Sequence, residues 1–200
     1  MKLYDSRRAP NPRRVRWFMA EKGIDDIEVI DMDLFKGEHR AGEYLAKTGA
    51  PNVPALEIDD ELTITESVAI CRYPEPNLFG RTPEETAVIE MWTRRAEMLL
   101  ATPLMMAVRH SHPALAALET QIPEIAESNR HAGARALGLF DRRLADSAFI
   151  AADRITVADI LAAISIDFAR MARFRPPEEL SHVRRWYDAM MARQAAKAGV

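Results

Sequence analysis

The period of the apolar positions changes partway along this chain. Up to about residue 75, short apolar runs alternate with a single helical stripe. Beyond about residue 84 the apolar positions follow the helical period throughout. Lys2–Asp5 is short and fits a first strand. Asn11-Pro12 then predicts a helix start, with Asn as the N-cap and Pro at the first helical position. Val15, Phe18 and Met19 give the i, i+3, i+4 stripe, and Gly23 supplies the stop. Ile27–Met32 is β-branched and apolar, a second strand. Val53–Ile58 and Glu61–Thr65 flank Asp59-Asp60 as a hairpin, and another helix starts near Glu66-Ser67. The order β-α-β-(loop or helix)-β-β-α describes an α/β module with a mixed sheet.

Pro74-Glu75-Pro76-Asn77, Gly80 and Pro83 interrupt the pattern as a linker. Thr82-Pro83-Glu84-Glu85 reads as a capping box with Pro at the first helical position. Behind it Val88, Trp92, Ala96, Leu99 and Leu100 make one apolar face. Pro123 to Leu144 reads as a helix. Thr156-Val157-Ala158-Asp159 is a second capping-box-like start, and Ile160–Ile166 behind it is apolar nearly all round, so that helix is expected to be central. Val183–Ala198 is expected to be the last helix. The predicted organisation is an α/β domain over 1–75, a linker over 76–83 and an all-α domain over 84–200.

Composition narrows the function classes. A 200-residue chain with 48% hydrophobic and 28% charged residues is an ordinary globular protein, long enough to bury a core without staples. A net charge of −3 gives no global attraction to nucleic acid or to an anionic membrane. The single cysteine, Cys71, excludes an intramolecular disulfide, a CxxC redox pair and a Cys-based metal site. The start is polar and no apolar run reaches the length of a membrane span. Together with the cysteine usage this predicts a cytoplasmic protein.

Three patches resemble the glutathione transferase superfamily. They are Met1–Asp5 through Asn11-Pro12-Arg13-Arg14-Val15-Arg16, then Val53-Pro54-Ala55-Leu56 with Thr65-Glu66-Ser67-Val68-Ala69-Ile70, and then Asp153–Asp159 in the helical half. Their order and spacing match that superfamily over nearly the whole chain. The resemblance implies a thioredoxin-like N-terminal domain, an all-helical C-terminal domain and glutathione as co-substrate. Read alone, Pro54 fits an edge-strand proline; the resemblance implies a cis Val53-Pro54 bond, with Val53 pairing with the cysteinyl part of glutathione. Ser67 and nearby N–H groups are implied to hold the γ-glutamyl carboxylate and Glu66 the ammonium. The same residues also read as a plain helix cap and first-turn acid. Asn52 stands where relatives often carry Lys or Gln for the glycyl carboxylate; His39 or Arg40 reads either as a substitute cation or as a plain surface helix charge.

The thiolate stabiliser is less legible. A free thiol has a pKa of about 8.5, so a donor to sulfur raises the anion at neutral pH. Relatives place Tyr, Ser or Cys after the first strand. Here Tyr4 lies too early, Pro10 stands two before Pro12, and Asn11 precedes the predicted helix. Asn11 reads either as an N-cap or as an amide donor to sulfur. The pattern resembles a divergent fungal and bacterial subgroup without the usual residue. There, His and Ser of the helical domain are implied to hold a water against sulfur; the matching stretch is Arg109-His110-Ser111-His112-Pro113, with His110 and Ser111 the candidates, and the same stretch also reads as a plain polar loop after a helix. The His spacing is not that of a helical metal pair, so no metal is expected.

Several features stand apart. Five arginines (Arg7, Arg8, Arg13, Arg14, Arg16) crowd the first helix start, where cations oppose the helix dipole. An anionic ligand, carboxylates across a subunit interface or plain solvation would each accommodate them. Cys71 reads as buried and the tryptophans as core or interface residues. Pro74 is expected to cut short the helix after Ser67, and Ala152 replaces a frequent family glycine. The leading function is conjugation of the glutathione thiolate to small hydrophobic electrophiles held in an interdomain cleft, with peroxide reduction a close variant. The alternative is a GST-fold binding or interaction protein with weak or no catalysis. A homodimer is implied by the resemblance.

Overall fold

Four short strands organise the first part of the chain. In this computed structural model, which describes residues 1–73 and 76–198, the sheet order is β2-β1-β3-β4. The strands are β1 (Lys2–Asp5), β2 (Glu28–Asp31), β3 (Ala55–Glu57) and β4 (Thr63–Thr65). β1 runs parallel to β2 and antiparallel to β3, with Leu3 opposite both Val29 and Leu56. A parallel pair needs a crossover, and helix α1 (Pro10–Lys22) supplies it. The mixed sheet is as expected. β3 begins later than the apolar run, because Pro54 has no N–H to give to a ladder.

Helix α1 starts two residues earlier than its sequence suggests. Ala9 is the N-cap, with no side-chain cap, and Asn11 lies inside the first turn. Pro10 explains the shift, since its fixed φ suits the first helical position. Gly23 closes the helix at φ 64°, donating its N–H to Met19 O. The segment left open as loop or helix is α2 (Gly42–Thr48), and α3 spans Ser67–Arg72. Pro74 and Glu75, expected to break α3 and open the linker, lie outside the described residues.

A charged cluster ties β1, α2 and β3 together. The buried Glu57 carboxylate accepts from Tyr4 Oη at 2.7 Å, Lys47 Nζ at 2.8 Å and Lys2 Nζ at 3.3 Å. The Lys47 ammonium first, and then the Tyr4 hydroxyl, hold its carboxyl at about 2. A carboxylate depressed in the folded state adds stability above its unfolded value; that stability is lost as pH falls through the folded one. We expect Glu57→Gln to flatten the loss of stability between about pH 4.5 and pH 2, read from denaturant midpoints over that window. Equal pH slopes for both proteins would contradict it.

Met1–Pro76 and the residues from Gln194 onward form one compact unit, and Asn77–Arg193 a second. The last predicted helix is therefore divided. Helix α8 ends at Met191, and a short 3-10 turn over Gln194–Lys197 goes with the first unit, where Ala196 O accepts from Arg13 Nη2 at 3.2 Å.

The second unit holds α4 (Pro83–Arg95), α5 (Thr102–Arg109), α6 (Pro123–Leu144), α7 (Val157–Ala169) and α8 (Ser181–Met191). Between α4 and α5 the chain continues as a π-helical turn, Ala96–Ala101. Pro103 accounts for it: the ring has no N–H and would collide with the carbonyl four residues back. The wider turn lets Thr102 Oγ1 reach Glu97 O at 2.9 Å. Ile89, Trp92, Ala96 and Leu100 point inward; Val88 (39%) and Leu99 (46%), expected on the same face, are exposed. At the start of α4, Thr82 Oγ1 accepts from Glu85 N at 3.2 Å, but Glu85 turns to the Arg81 N–H and to Arg154 instead of completing a box. α7 is central as expected, buried from Val157 through Ile166. Trp17, Trp92 and Trp186 are all buried. Ala152 has no positive φ, so the missing glycine exacts no backbone strain here.

Candidate functional site

In the first unit the predicted glutathione-binding residues fall on two segments. The first is the approach to β3. Asn52 is exposed; its main chain is fixed because Tyr44 Oη donates to Asn52 O at 2.5 Å and Asn52 N donates to Ala50 O at 2.9 Å. The Val53-Pro54 bond is cis. Val53 packs its side chain in a cluster with Met32, Tyr44 and Ala55, against which Ala9 also packs. Among the described residues its own N–H and C=O form no hydrogen bond, so this residue offers an open donor and acceptor.

The second segment is the junction of β4 and α3. Glu66 has φ 69° and ψ 117°, a conformation that costs a non-glycine residue about 1–3 kcal/mol. Among the described residues only Arg173 shares a positive φ without being glycine. The Glu66 side chain is exposed, and Ser67 beside it is buried. Arg14 of α1, also buried, directs Nη1 to Ser67 Oγ at 3.4 Å. Sequence reading named Glu66 and Ser67 but counted Arg14 only among five crowded arginines. The signal was its place four residues after Pro10 and four before Phe18, all on the buried face of α1.

The first loop answers the question raised by its arginines. Arg16 pairs with the buried Asp5 carboxylate and donates Nη2 to Arg7 O at 3.0 Å; Asp5 Oδ1 also accepts from Ser6 N at 2.7 Å. Arg7 Nε stands 3.9 Å from Asp31, and Arg13 reaches Ala196 as above. With Arg14 on Ser67, four of the five therefore serve contacts within the unit. Asn11 is half-buried in the first turn of α1, where Pro10 and Pro12 carry no N–H; it is not a cap. Tyr4 is engaged with Glu57, and burial, then that carboxylate, raise its pKa, so it is a protonated strut. His39 is buried, with Nδ1 unpartnered among the described residues. Burial and then Arg40 lower its pKa, which makes the exposed Arg40 the better cation of the two. Cys71 is buried as expected, and burial pushes its thiol far up, which makes it inert.

In the second unit, His110 caps the C-terminus of α5 and is buried. Its Nδ1 accepts from Ile122 N at 3.2 Å, so a neutral ring carries its proton on Nε2. Ser111 Oγ donates to Ala107 O at 2.6 Å, leaving its oxygen able to accept. His112 Nδ1 accepts from Ala114 N at 3.3 Å. No group of three metal-ligating side chains occurs among the described residues. No helix among them is long and apolar enough to cross a membrane.

Residues 1–74 match the family of glutathione S-transferase N-terminal domains, and residues 96–194 that of the C-terminal domains. Glutathione S-transferase 2 of Saccharomyces cerevisiae is 34% identical over 206 residues, covering 98% of this chain and 88% of that protein. The crystal structure of Gtt2 from the same yeast superposes with a TM-score of 0.92 at 34% identity, covering all of both chains. A glutathione S-transferase domain-containing protein of Marinobacter aquaeolei superposes with a TM-score of 0.88 at 35% identity, covering 98% of this chain and 99% of that one.

Proposed function

Because the chain belongs to the glutathione S-transferase family, we propose that it binds glutathione on the Val53 and Glu66–Ser67 segments and transfers the thiolate to small hydrophobic electrophiles. The observation that carries the reading is the backbone of Glu66. A positive φ at an acidic residue is uphill, and it sets an exposed carboxylate directly beside a buried hydroxyl. That pair suits the ammonium and carboxylate of a γ-glutamyl group. The open N–H and C=O of Val53 suit the cysteinyl main chain, and Asn52, with Arg40, the glycyl carboxylate.

The sulfur then needs a donor. Asn11 supplies an amide at the start of α1. His110 Nε2–H and Ser111 Oγ supply a donor and an acceptor that suit a bound water, the other means of holding the thiolate. The thiol proton passes to solvent, the sulfur pair forms the new C–S bond, and the electrophile releases its leaving group or takes up a proton. Attack on a peroxide oxygen is the close variant. We further propose a cytoplasmic homodimer, to which the exposed Val88, Met91, Met98 and Leu99 of one helical stripe contribute.

Calorimetric titration with glutathione tests the reading. The intact chain is expected to bind, and Glu66→Ala to bind at least about ten-fold more weakly, the cost of one lost charge-assisted contact. Absence of binding to the intact chain would refute it and leave the GST-fold interaction protein as the better account.

A further inference from the structure

We infer that Arg14 is a positioning residue for the glutathione site: it turns the Ser67 hydroxyl into a directed donor for the γ-glutamyl carboxylate. This rests on the glutathione-binding reading above and goes beyond it, because Arg14 itself need not touch the ligand.

Arg14 and Ser67 are 8% and 5% exposed, so water does little to orient either. A guanidinium has five N–H donors and no acceptor, whereas a hydroxyl has one donor and two lone pairs. The 3.4 Å contact from Arg14 Nη1 to Ser67 Oγ therefore runs one way: Arg14 donates and Ser67 accepts. A hydroxyl oxygen that accepts from a cation turns its own hydrogen away from that cation, and the bond polarises it. Among the described residues that hydrogen has no acceptor. A buried donor without an acceptor is costly, so the site is built to receive one. A carboxylate is the acceptor that gains most, because it meets both the polarised O–H and the positive potential of the guanidinium behind it.

The sequence supports this division of labour. Arg14 reaches inward because it shares the buried face of α1 with Pro10 and Phe18. Its neighbour Arg13 goes to Ala196 and Arg16 to Asp5. Arg14 reaches the α3 junction at Ser67.

The test uses the full chain, calorimetry and two ligands. One is glutathione. The other is its analogue lacking the γ-glutamyl α-carboxylate, 4-aminobutyryl-cysteinyl-glycine. Arg14→Met is expected to weaken glutathione about ten-fold, the scale of a hydrogen bond to a charged group, and to leave the analogue within about two-fold. In a Ser67→Ala background the same change should cost less than about two-fold, because the route to the ligand is already cut. Arg14→Lys keeps charge without the planar fork and is expected to lose about three-fold, which covers the case in which Arg14→Met does not fold. Equal loss for both ligands, or full additivity with Ser67→Ala, would mean that Arg14 only supports the scaffold. Unchanged glutathione binding in Arg14→Met would end the inference while leaving the glutathione site standing. If the intact chain binds neither ligand, both readings fall together.

Discussion

Replacing Asp159 by Ala is expected to lower the melting temperature by roughly 10 °C, the largest stability effect we foresee at a single residue. Asp159 is fully buried, and four donors converge on it. Oδ1 accepts from Ile150 N at 2.9 Å and from Trp186 Nε1 at 3.0 Å, and Oδ2 accepts from Thr156 N at 3.0 Å and Thr156 Oγ1 at 2.7 Å. One carboxylate thus caps α7, fixes the loop before it and anchors α8 through Trp186. Alanine leaves all four donors unpaired and removes the cap. The sum is about 3–5 kcal/mol, set against a total stability of about 5–15 kcal/mol. Asparagine at this position would keep the volume but one oxygen only, turning an amide N–H₂ toward one of the two donor pairs. We therefore expect Asp159→Asn to fall between the parent and Asp159→Ala. Differential scanning calorimetry orders the three proteins. A drop below about 3 °C for alanine would mean that water replaces the carboxylate at little cost.

This network also shows what the sequence could reveal. Thr156 and Asp159 were legible as a cap because the capping box is local, three residues apart, and its chemistry is fixed by side-chain reach. Trp186 and Ile150 were not, because nothing local says which distant donors meet a buried carboxylate. The same divide runs through the candidate site. Glu66 and Ser67 stood out through the family resemblance and the helix start. The positive φ at Glu66 was hidden, since acidic residues give no sign of it. Arg14 is a helical neighbour of Pro10 and Phe18, yet in the sequence it stands only as one of five crowded cations; three of its companions, Arg7, Arg13 and Arg16, bond within the same unit. Asn11 reads as a cap or as a donor to sulfur because Asn is a common cap, and Pro10 moves the helix start so that the cap role falls to Ala9. Val88 and Leu99 share one apolar face with Trp92 and Ala96 only if a long helix keeps one uniform period. Ile89 fills the inward position, and the π turn before Pro103 resets the phase.

Glu66 offers a direct measure of how much stability the site gives up for its geometry. We expect Glu66→Gly to raise stability while weakening glutathione binding, and Glu66→Ala to weaken binding with no such gain. Glutamate at φ 69° carries about 1–3 kcal/mol of backbone strain, and glycine removes it. Glycine also adds freedom to the unfolded chain, which takes back about 0.5–1 kcal/mol. The net gain of about 1 kcal/mol corresponds to roughly 2–4 °C in melting temperature. Alanine keeps a Cβ and hence the strain, so its melting temperature should stay near that of the parent. Both variants lose the carboxylate proposed to meet the γ-glutamyl ammonium, and both should bind glutathione about 10- to 100-fold more weakly. The pair separates backbone from side chain. If glycine stabilises and both bind weakly, the strain is held in place to present the carboxylate. If glycine fails to stabilise, the hydrogen bonds around the junction already make the positive φ comfortable, and the backbone of Glu66 loses its value as a marker of function. If both variants bind as tightly as the parent, the carboxylate has no part in holding glutathione.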